Sequence, residues 1–472
     1  MADERPQLFP VAPQEEVLPS ISVSGGGRRW VIPVVSEGRF RKFRARLGFL
    51  LIAFFVLAPI VHIGGLPALM VDVLQRRIVV FGAVFDSSDN LILLAFGANV
   101  VLSIFILTSL FGRVWCGYLC PQPIYMEFVF RPLEYLIAGP PQLLKKDRPW
   151  TGGRILRAVV LYGIYVVIAA FLAHTFTAYF LGWSSLIGYM TDGPAAHFGP
   201  FFAAWFVSAL MVFDFGWFRD QTCTTACPYG RLQTILYDGN TSIVGYDFKR
   251  GEPRGKVVEA TNGAPGGVKP GDCIDCGRCV ATCPTGIDIR RGLQMECIGC
   301  AQCNDACDDV MTRLKRPRGL IRMASQNALR GEKTAFIGKR VMAYGAVMAF
   351  TIAMLLHFVG GREPAEVEIL RTGRDVYKML PGDLVANQLA IKFTNHAKEK
   401  QTFTFTLENA DAELIAAVSP VAVEPGEIEG TDVVVKMGRS KFKNGKIEGR
   451  FSIVSDKGFK TERTFLLLGP YE

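Results

Sequence analysis

No G-x-G-x-x-G and no Walker sequence occurs in the 472 residues, so the chain has no recognisable flavin, nicotinamide or nucleotide site of its own. C-x-x-C-H is absent too, which excludes covalent c-type haem. The first 40 residues lack the apolar run and small-residue cleavage site of a secretory signal; polar, with five Pro and a GGG run, they read as a disordered tail. Residues 177–197 contain no Lys or Arg, and Gly360 to Glu472 contain no Cys. Charge is thin, 20% of residues against 50% hydrophobic. A mean hydropathy of +0.26 is unusual for a soluble protein.

What is present in quantity is apolar sequence in lengths that suit a bilayer, about 20 residues. Five such runs occur, roughly 47–65, 91–111, 156–176, 198–218 and 340–359, the first reading as an uncleaved anchor. Flanking charge orients them. Arg28, Arg29, Arg39, Arg41, Lys42, Arg44 and Arg46 precede the first run against only Glu37. Arg113, Arg131, Lys145, Lys146, Arg148 and Arg154 lie between the second and third. By the positive-inside rule the N-terminus, the 112–155 loop and the 219–339 segment are cytoplasmic, and an odd number of spans puts the tail outside. The net charge of +9 is then a topology signal, and no nucleic acid is needed to explain it.

All twelve cysteines fall on or beside the cytoplasmic face, where thiols stay reduced, so a disulfide framework is a poor reading of them. Eight form two runs of C-x2-C-x2-C-x3-C: Cys273, Cys276, Cys279 and Cys283, followed by Pro284, then Cys297, Cys300, Cys303 and Cys307. This is the spacing of a two-cluster 4Fe–4S ferredoxin. Three thiolates of a run hold one cluster, and the fourth, too far along, ligates its partner. That predicts Cys273, Cys276, Cys279 and Cys307 around one cluster, and Cys297, Cys300, Cys303 and Cys283 around the other. Zinc also takes four thiolates but favours a longer spacer between its C-x2-C halves. The second run ends Cys307–Asp308–Asp309 without the usual Pro, which leaves its turn less defined.

The remaining four form two C-x-x-x-C-P pairs, Cys116/Cys120 and Cys223/Cys227, at the inner ends of spans two and four. Cysteines four apart share one helix face and can clamp a soft metal or form a dithiol, while Pro121 and Pro228 end or redirect the local helix. A single pair reads equally well as buried small hydrophobes. Two copies, each in an aromatic setting (WCGYLCPQPIY and CTTACPYGR), favour a shared site, and thiolates select Cu(I) over Cu(II). His62, His174 and His357 lie near the outer ends of spans one, three and five, and His197 opens span four. Metal entry, a b-type haem and plain interfacial packing are all open to them.

After the fifth run the pattern turns to period two. Leu389, Ile391 and Phe393, then Phe403, Phe405 and Leu407, then Phe451 and Ile453 alternate with small or polar residues. The runs Val433–Val435 and Phe465–Leu467 are apolar throughout, as strands buried on both faces would be. About seven short strands separated by PGD, KNGK and DKG turns predict an immunoglobulin-like antiparallel sandwich. The stretch 66–90 is short and near neutral, and VVFGAVF within it can re-enter the interface.

Together these residues resemble the CcoG/FixG/RdxA family over nearly the whole chain, from about Val31 to Glu472, most specifically in WCGYLCPQ and CTTACPYGR. The implied architecture is a multi-domain membrane protein: a five-span α-helical bundle, a cytoplasmic two-4Fe–4S ferredoxin-like module and a C-terminal periplasmic immunoglobulin-like β-sandwich. Its expected divisions are a disordered cytoplasmic tail (1–40), spans one to four (41–218), the cluster module (219–339), span five (340–360) and the exported domain (361–472). The resemblance implies a multi-pass protein of the bacterial inner membrane that reduces Cu(II) to Cu(I) for assembly of cbb3-type cytochrome oxidase. Carried over, Cys116, Cys120, Cys223 and Cys227 are the copper-handling catalytic thiols and the eight ferredoxin cysteines the cluster ligands. The implied partners are a cytoplasmic electron donor, copper-handling proteins and the oxidase assembly machinery, with a homodimer left open. Two other readings stand beside it: a quinol-linked relay resembling NapH or NosR, which the tail from Gly360 argues against, and a non-redox copper chaperone or assembly scaffold.

Overall fold

The computed structural model describes residues 30–73, 77–85, 89–139, 151–255, 271–373, 375–397, 399–408 and 412–471. Most of the N-terminal tail, Lys145, Lys146 and Arg148, and most of GAPGGVKPGD lie outside the described residues. Two compact units result, Met1–Val61 with Ile92–Leu355, and His62–Leu91 with Leu356–Glu472. The segment 62–91, grouped with the spans on sequence, thus belongs to the same unit as the tail.

Among the described residues, four helices are long and apolar enough to cross a bilayer: Asn90–Phe111, Gly152–Leu181, Phe198–Phe218 and Lys339–Gly360. Their outward surfaces carry large exposed apolar side chains such as Val167, Phe198 and Phe350, as a lipid-facing bundle requires. The second and third of them pack together, with small buried residues Ala169, Ala173, Ala204 and Ser208 letting the backbones approach. Asn90–Phe111 and Lys339–Gly360 are tied within their apolar lengths by Thr351 Oγ1, which donates to Asn99 Oδ1 at 3.0 Å, and by an edge contact of Phe105 with Tyr344.

The expected first span differs. Its helix runs Arg39–Leu57, starting and ending eight residues before the apolar window. The reason is tertiary. The Asp305 carboxylate accepts the Phe40 and Arg41 amides at 3.3 and 2.9 Å, so an acid from the cluster module caps the helix and fixes where it begins. Gly38 is required there, because a β-carbon would collide with the Asp305 side chain. At the other end Pro59 and Gly64–Gly65 replace helix with a short hairpin, His62–Ile63 against Leu66–Pro67.

The cluster module is built on an antiparallel strand pair, Ser242–Tyr246 with Ile321–Ser325, paired from Ser242↔Ser325 to Tyr246↔Ile321. Against it lie the short helix Arg278–Ala281 and the helix Gln302–Arg313, entered through left-handed Gly277 and Ala301.

Among its described residues the second unit holds a sandwich of nine strands in two antiparallel sheets. One orders 412–416, 428–438, 384–395 and 365–371, with 378–380 added on 384–395; the other orders 421–423, 401–407, 446–455 and 460–468. Leu389, Ile391, Phe393, Phe403, Phe451 and Ile453 are fully buried between them. The two all-apolar runs are not buried on both faces: Val433 and Val435 point inward with Val434 half-buried, and Leu467 is buried while Leu466 is 44% exposed. Leu69–Asp72, Arg77–Val80 and Ala83–Phe85 form a three-stranded sheet instead of a re-entrant loop. Arg362 fastens it to the sandwich by an ion pair to Asp89 at 2.5 Å and a hydrogen bond to the Val84 carbonyl at 2.6 Å.

Candidate functional site

Both C-x-x-x-C-P pairs adopt the same local device. Trp115–Leu119 and Thr222–Ala226 are π-helical turns, wider than the α-turn expected from the spacing. Each turn is closed by the second cysteine: the Cys120 amide donates to the Trp115 carbonyl and the Cys227 amide to the Thr222 carbonyl, both at 2.8 Å. Cys120 and Cys227 themselves are extended, and Pro121 and Pro228 open new helices as first residues, a position that needs no amide hydrogen. The prolines therefore redirect the chain, as their type predicts.

The four thiols share one neighbourhood. Burial pushes Cys116 up to about 12, Arg113 opposes, and Cys120 and Cys227 add to the rise. Burial also raises Cys120, and it raises Cys223 with added repulsion from Cys120, Cys116 and Cys227. The Cys116 thiol donates to Oε1 of the fully buried Gln233 at 3.4 Å. The quartet converges without closing: among the described residues no three His, Cys, Asp or Glu side chains stand at metal-holding distance. His62 and His357 are exposed, His174 bonds the Ala170 carbonyl at 2.7 Å and meets Trp205 edge-on, and His197 lies 3.4 Å from Asp192.

The other eight cysteines line two cavities in the crossed arrangement. Cys273, Cys276, Cys279 and Cys307 surround one, with Tyr246, Arg290 and Met311 in its wall. Cys283, Cys297, Cys300 and Cys303 surround the other, with Cys279 between the two. Neither wall contains His, Asp or Glu, and four thiols at each cavity are the donor set a 4Fe–4S cluster takes. Burial pushes Cys279, Cys300 and Cys307 up to about 12 and Cys297 to about 11, and it raises Cys303 well above the ordinary thiol value. Any metal loaded here displaces protons. Cys276, which lines the first cavity, is the one exposed cysteine of the eight.

The quartet and the second cavity touch. A β-carbon on Gly117 would stand 3.1 Å from the Cys300 amide nitrogen, so the loop carrying Cys116 and Cys120 lies directly on the loop carrying Cys300. Arg44, 1% exposed, holds this junction: its Nε donates to the Gly117 carbonyl at 2.6 Å and its Nη2 pairs with Glu127 at 2.8 Å. Glu127 in turn accepts from Gln302, beside Cys303. Arg44, Arg113, Gln233 and Gly117 were not legible as site residues; only the aromatic-rich motif around Gly117 marked the place.

Comparison with known proteins agrees with these parts. A 4Fe-4S dicluster domain family matches residues 218–326, a 4Fe-4S binding domain family matches 94–149, and a family described as the IG-like fold at the C-terminal of FixG matches 355–470. The chain is 29% identical to nitrogen fixation protein FixG of Rhizobium meliloti, over 92% of this chain and 91% of that one. It is 36% identical to protein RdxA of Cereibacter sphaeroides over 54% of this chain and 52% of that one, and 28% identical to protein RdxB of the same organism over 84% and 86%.

Proposed function

This chain belongs to the FixG/CcoG/RdxA family, and from that premise we propose a specific task for an iron–sulfur electron-transfer protein of the membrane: reduction of Cu(II) to Cu(I) for assembly of a cbb3-type cytochrome c oxidase. The observation that carries this reading is the contact at Gly117, which sets the loop carrying Cys116 and Cys120 against the loop carrying Cys300. Two 4Fe–4S clusters, when bound, accept and release single electrons. Cys273, Cys276, Cys279 and Cys307 would hold one, and Cys283, Cys297, Cys300 and Cys303 the other. Cys276 offers a solvent-side entry for a cytoplasmic one-electron donor.

Cys116, Cys120, Cys223 and Cys227 bind the copper substrate. Each thiol that ligates gives up its proton, and soft sulfur donors favour Cu(I) over Cu(II), so the site draws the ion toward its reduced form. One electron enters each Cu(II), and the Cu(I) produced passes to copper-handling proteins of the oxidase assembly machinery. The inner membrane, with the cysteines cytoplasmic and the sandwich periplasmic, is the orientation that the flanking Lys and Arg support.

The test is the reoxidation of chemically reduced clusters in the purified full-length protein. Cu(II) should reoxidise them rapidly, and Cys116→Ser with Cys120→Ser should abolish that response while leaving the cluster spectrum intact. Normal copper-driven reoxidation in the double variant sinks the reading. Reoxidation by a quinone analogue with no response to copper would establish the relay in its place.

A further inference from the structure

Four arginines of the first unit are more than nine-tenths buried: Arg44, Arg113, Arg131 and Arg219. Two are neutralised, Arg44 by Glu127 at 2.8 Å and Arg219 by Glu134 at 3.0 Å. Arg113 and Arg131, 5% and 4% exposed, form no ion pair within 4.0 Å among the described residues, the half-buried Glu296 acting on Arg113 only at longer range. Each reaches a backbone carbonyl at or beside a cysteine that lines the second cavity, one in each run. Arg113 Nη1 donates to the Cys297 carbonyl at 3.5 Å, and Arg131 Nη2 to the Pro284 carbonyl at 3.2 Å. Arg113 Nε has no hydrogen-bond partner among the described residues. Its Nη2 lies 3.0 Å from where a β-carbon on Gly230 would be, with the Cys223 carbonyl 3.5 Å from that point. This guanidinium is wedged between the quartet and the second cavity.

The first cavity is built the opposite way. Arg290 in its wall is ion-paired to both Asp288, at 2.8 Å, and Asp275. Arg278 pairs with Asp309 at 3.8 Å. A buried cation with no directly paired carboxylate is costly, and further negative charge in its neighbourhood relieves that cost. Four thiolates around iron and sulfide carry net negative charge, more after an electron is added, and nearby positive charge favours the reduced state.

We infer that Arg113 and Arg131 make the second cluster the electron sink of the pair, so that electrons run from the solvent-side first cluster to the second and reach the quartet there. The step moves one electron: the first cluster is oxidised, the second is reduced, and no bond is formed or broken. A cytoplasmic one-electron donor supplies the electron and Cu(II) at the quartet removes it. The inference rests on the cluster assignment above and gives it a direction. Arg113 and Arg131 are positioning residues for the electron, since they touch the loops and not the copper.

Redox titration of the full-length protein in detergent, followed by electron paramagnetic resonance, tests it. Cys276→Ala and Cys300→Ala identify which signal belongs to which cavity. In the wild-type protein the couple lost in Cys300→Ala should titrate at the higher potential. Arg113→Gln and Arg131→Gln should each shift that couple down by about tenfold in its one-electron equilibrium constant, about 59 mV, and leave the other in place. Arg113→Lys and Arg131→Lys, which keep the charge, should stay near wild type, as should Arg290→Gln for the second couple. A second couple no higher than the first, or Gln variants that leave it unmoved, overturns the inference. If a Gln variant loses the cluster while its Lys counterpart keeps it at the native potential, the charge is required, and the inference stands. Loss in both would mean a packing role and overturn it. A wild-type protein without two 4Fe–4S couples would instead refute the cluster assignment itself.

Discussion

Gly117 and Ile298 approach so closely that a β-carbon on Gly117 would lie 2.8 Å from the Ile298 carbonyl oxygen. Real β-carbons do not come that near backbone oxygen, and neither partner is a side chain that can swing away. Gly117 sits in the π-helical turn between Cys116 and Cys120, so its missing side chain lets one cysteine motif rest on the other.

Gly117→Ala should therefore separate the two loops by a few tenths of an ångström or more. The expected outcome is loss of iron and sulfide from the second cavity, from two clusters toward one, with copper-driven reoxidation slowed further than the cluster loss explains. Gly163→Ala is the control: nothing lies within 4 Å of a β-carbon there. It should leave both readings alone or add slightly to helix stability, up to ~1 kcal/mol. Unchanged iron content and reoxidation in Gly117→Ala would show that the contact has no role.

The crossed ligand sets make a prediction about pairs of substitutions. Cys307 and Cys276 line the same cavity although they lie in different sequence runs. Cys307→Ala combined with Cys276→Ala should cost no more iron than either change alone. Cys307→Ala combined with Cys300→Ala should remove both clusters. If ligation instead followed the linear runs, these two outcomes would be exchanged. Iron analysis and resonance spectra of the double variants decide between them.

Burial gives the quartet a pH dependence whose sign is fixed. Cys116 is pushed up to about 12 and Cys120 and Cys223 are raised, so at neutral pH these thiols hold their protons. Every thiolate–copper bond made there must expel one. Apparent Cu(I) affinity should rise about tenfold per pH unit for each such bond, with no plateau near the ordinary thiol value of 9.0. Competition against a Cu(I) chelator from pH 6 to 9 measures the slope, and a flat response would mean that the ligands are not these thiols. The same shifts act on the metal-free fold. Their stabilisation is fully present below about pH 9 and is lost as pH rises through about 12.

Legibility in the sequence followed the length scale of the interaction. Cysteine spacing encodes a tight loop, so the cluster motifs and their crossing were readable from ten residues at a time. Strand alternation is equally local, and the sandwich strands around Ile391, Phe403 and Ile453 followed from it. What escaped depends on residues far apart. The helix Arg39–Leu57 takes its start from Asp305, which no hydropathy window can include. Arg44 and Arg113 looked like any other members of the basic flanks, because burial and the presence or absence of a carboxylate partner are tertiary facts. Val433–Val435 read as doubly buried since composition alone does not say that Val434 faces outward at a sheet surface.

The sandwich offers a test of where its stability resides. Phe393 is fully buried and stacks on Phe403 with ring centroids 5.0 Å apart, the two rings coming from opposite sheets. They join the layers, so truncation at either one opens a cavity that neither sheet can close by itself. Phe393→Ala should cost about 3–5 kcal/mol. Leu466→Ala, 44% exposed on an outer face, should stay within about 0.5 kcal/mol. Hydrogen exchange on the full-length protein reads both at the amides of strands 401–407 and 446–455, which pair along Phe403↔Ser455 to Leu407↔Phe451. Protection there should fall sharply in the first variant and hold in the second, while amides of the strand pair Ser242–Tyr246 and Ile321–Ser325 keep wild-type rates in both. Equal protection in the two variants would mean that the aromatic stack is not what holds the sheets together.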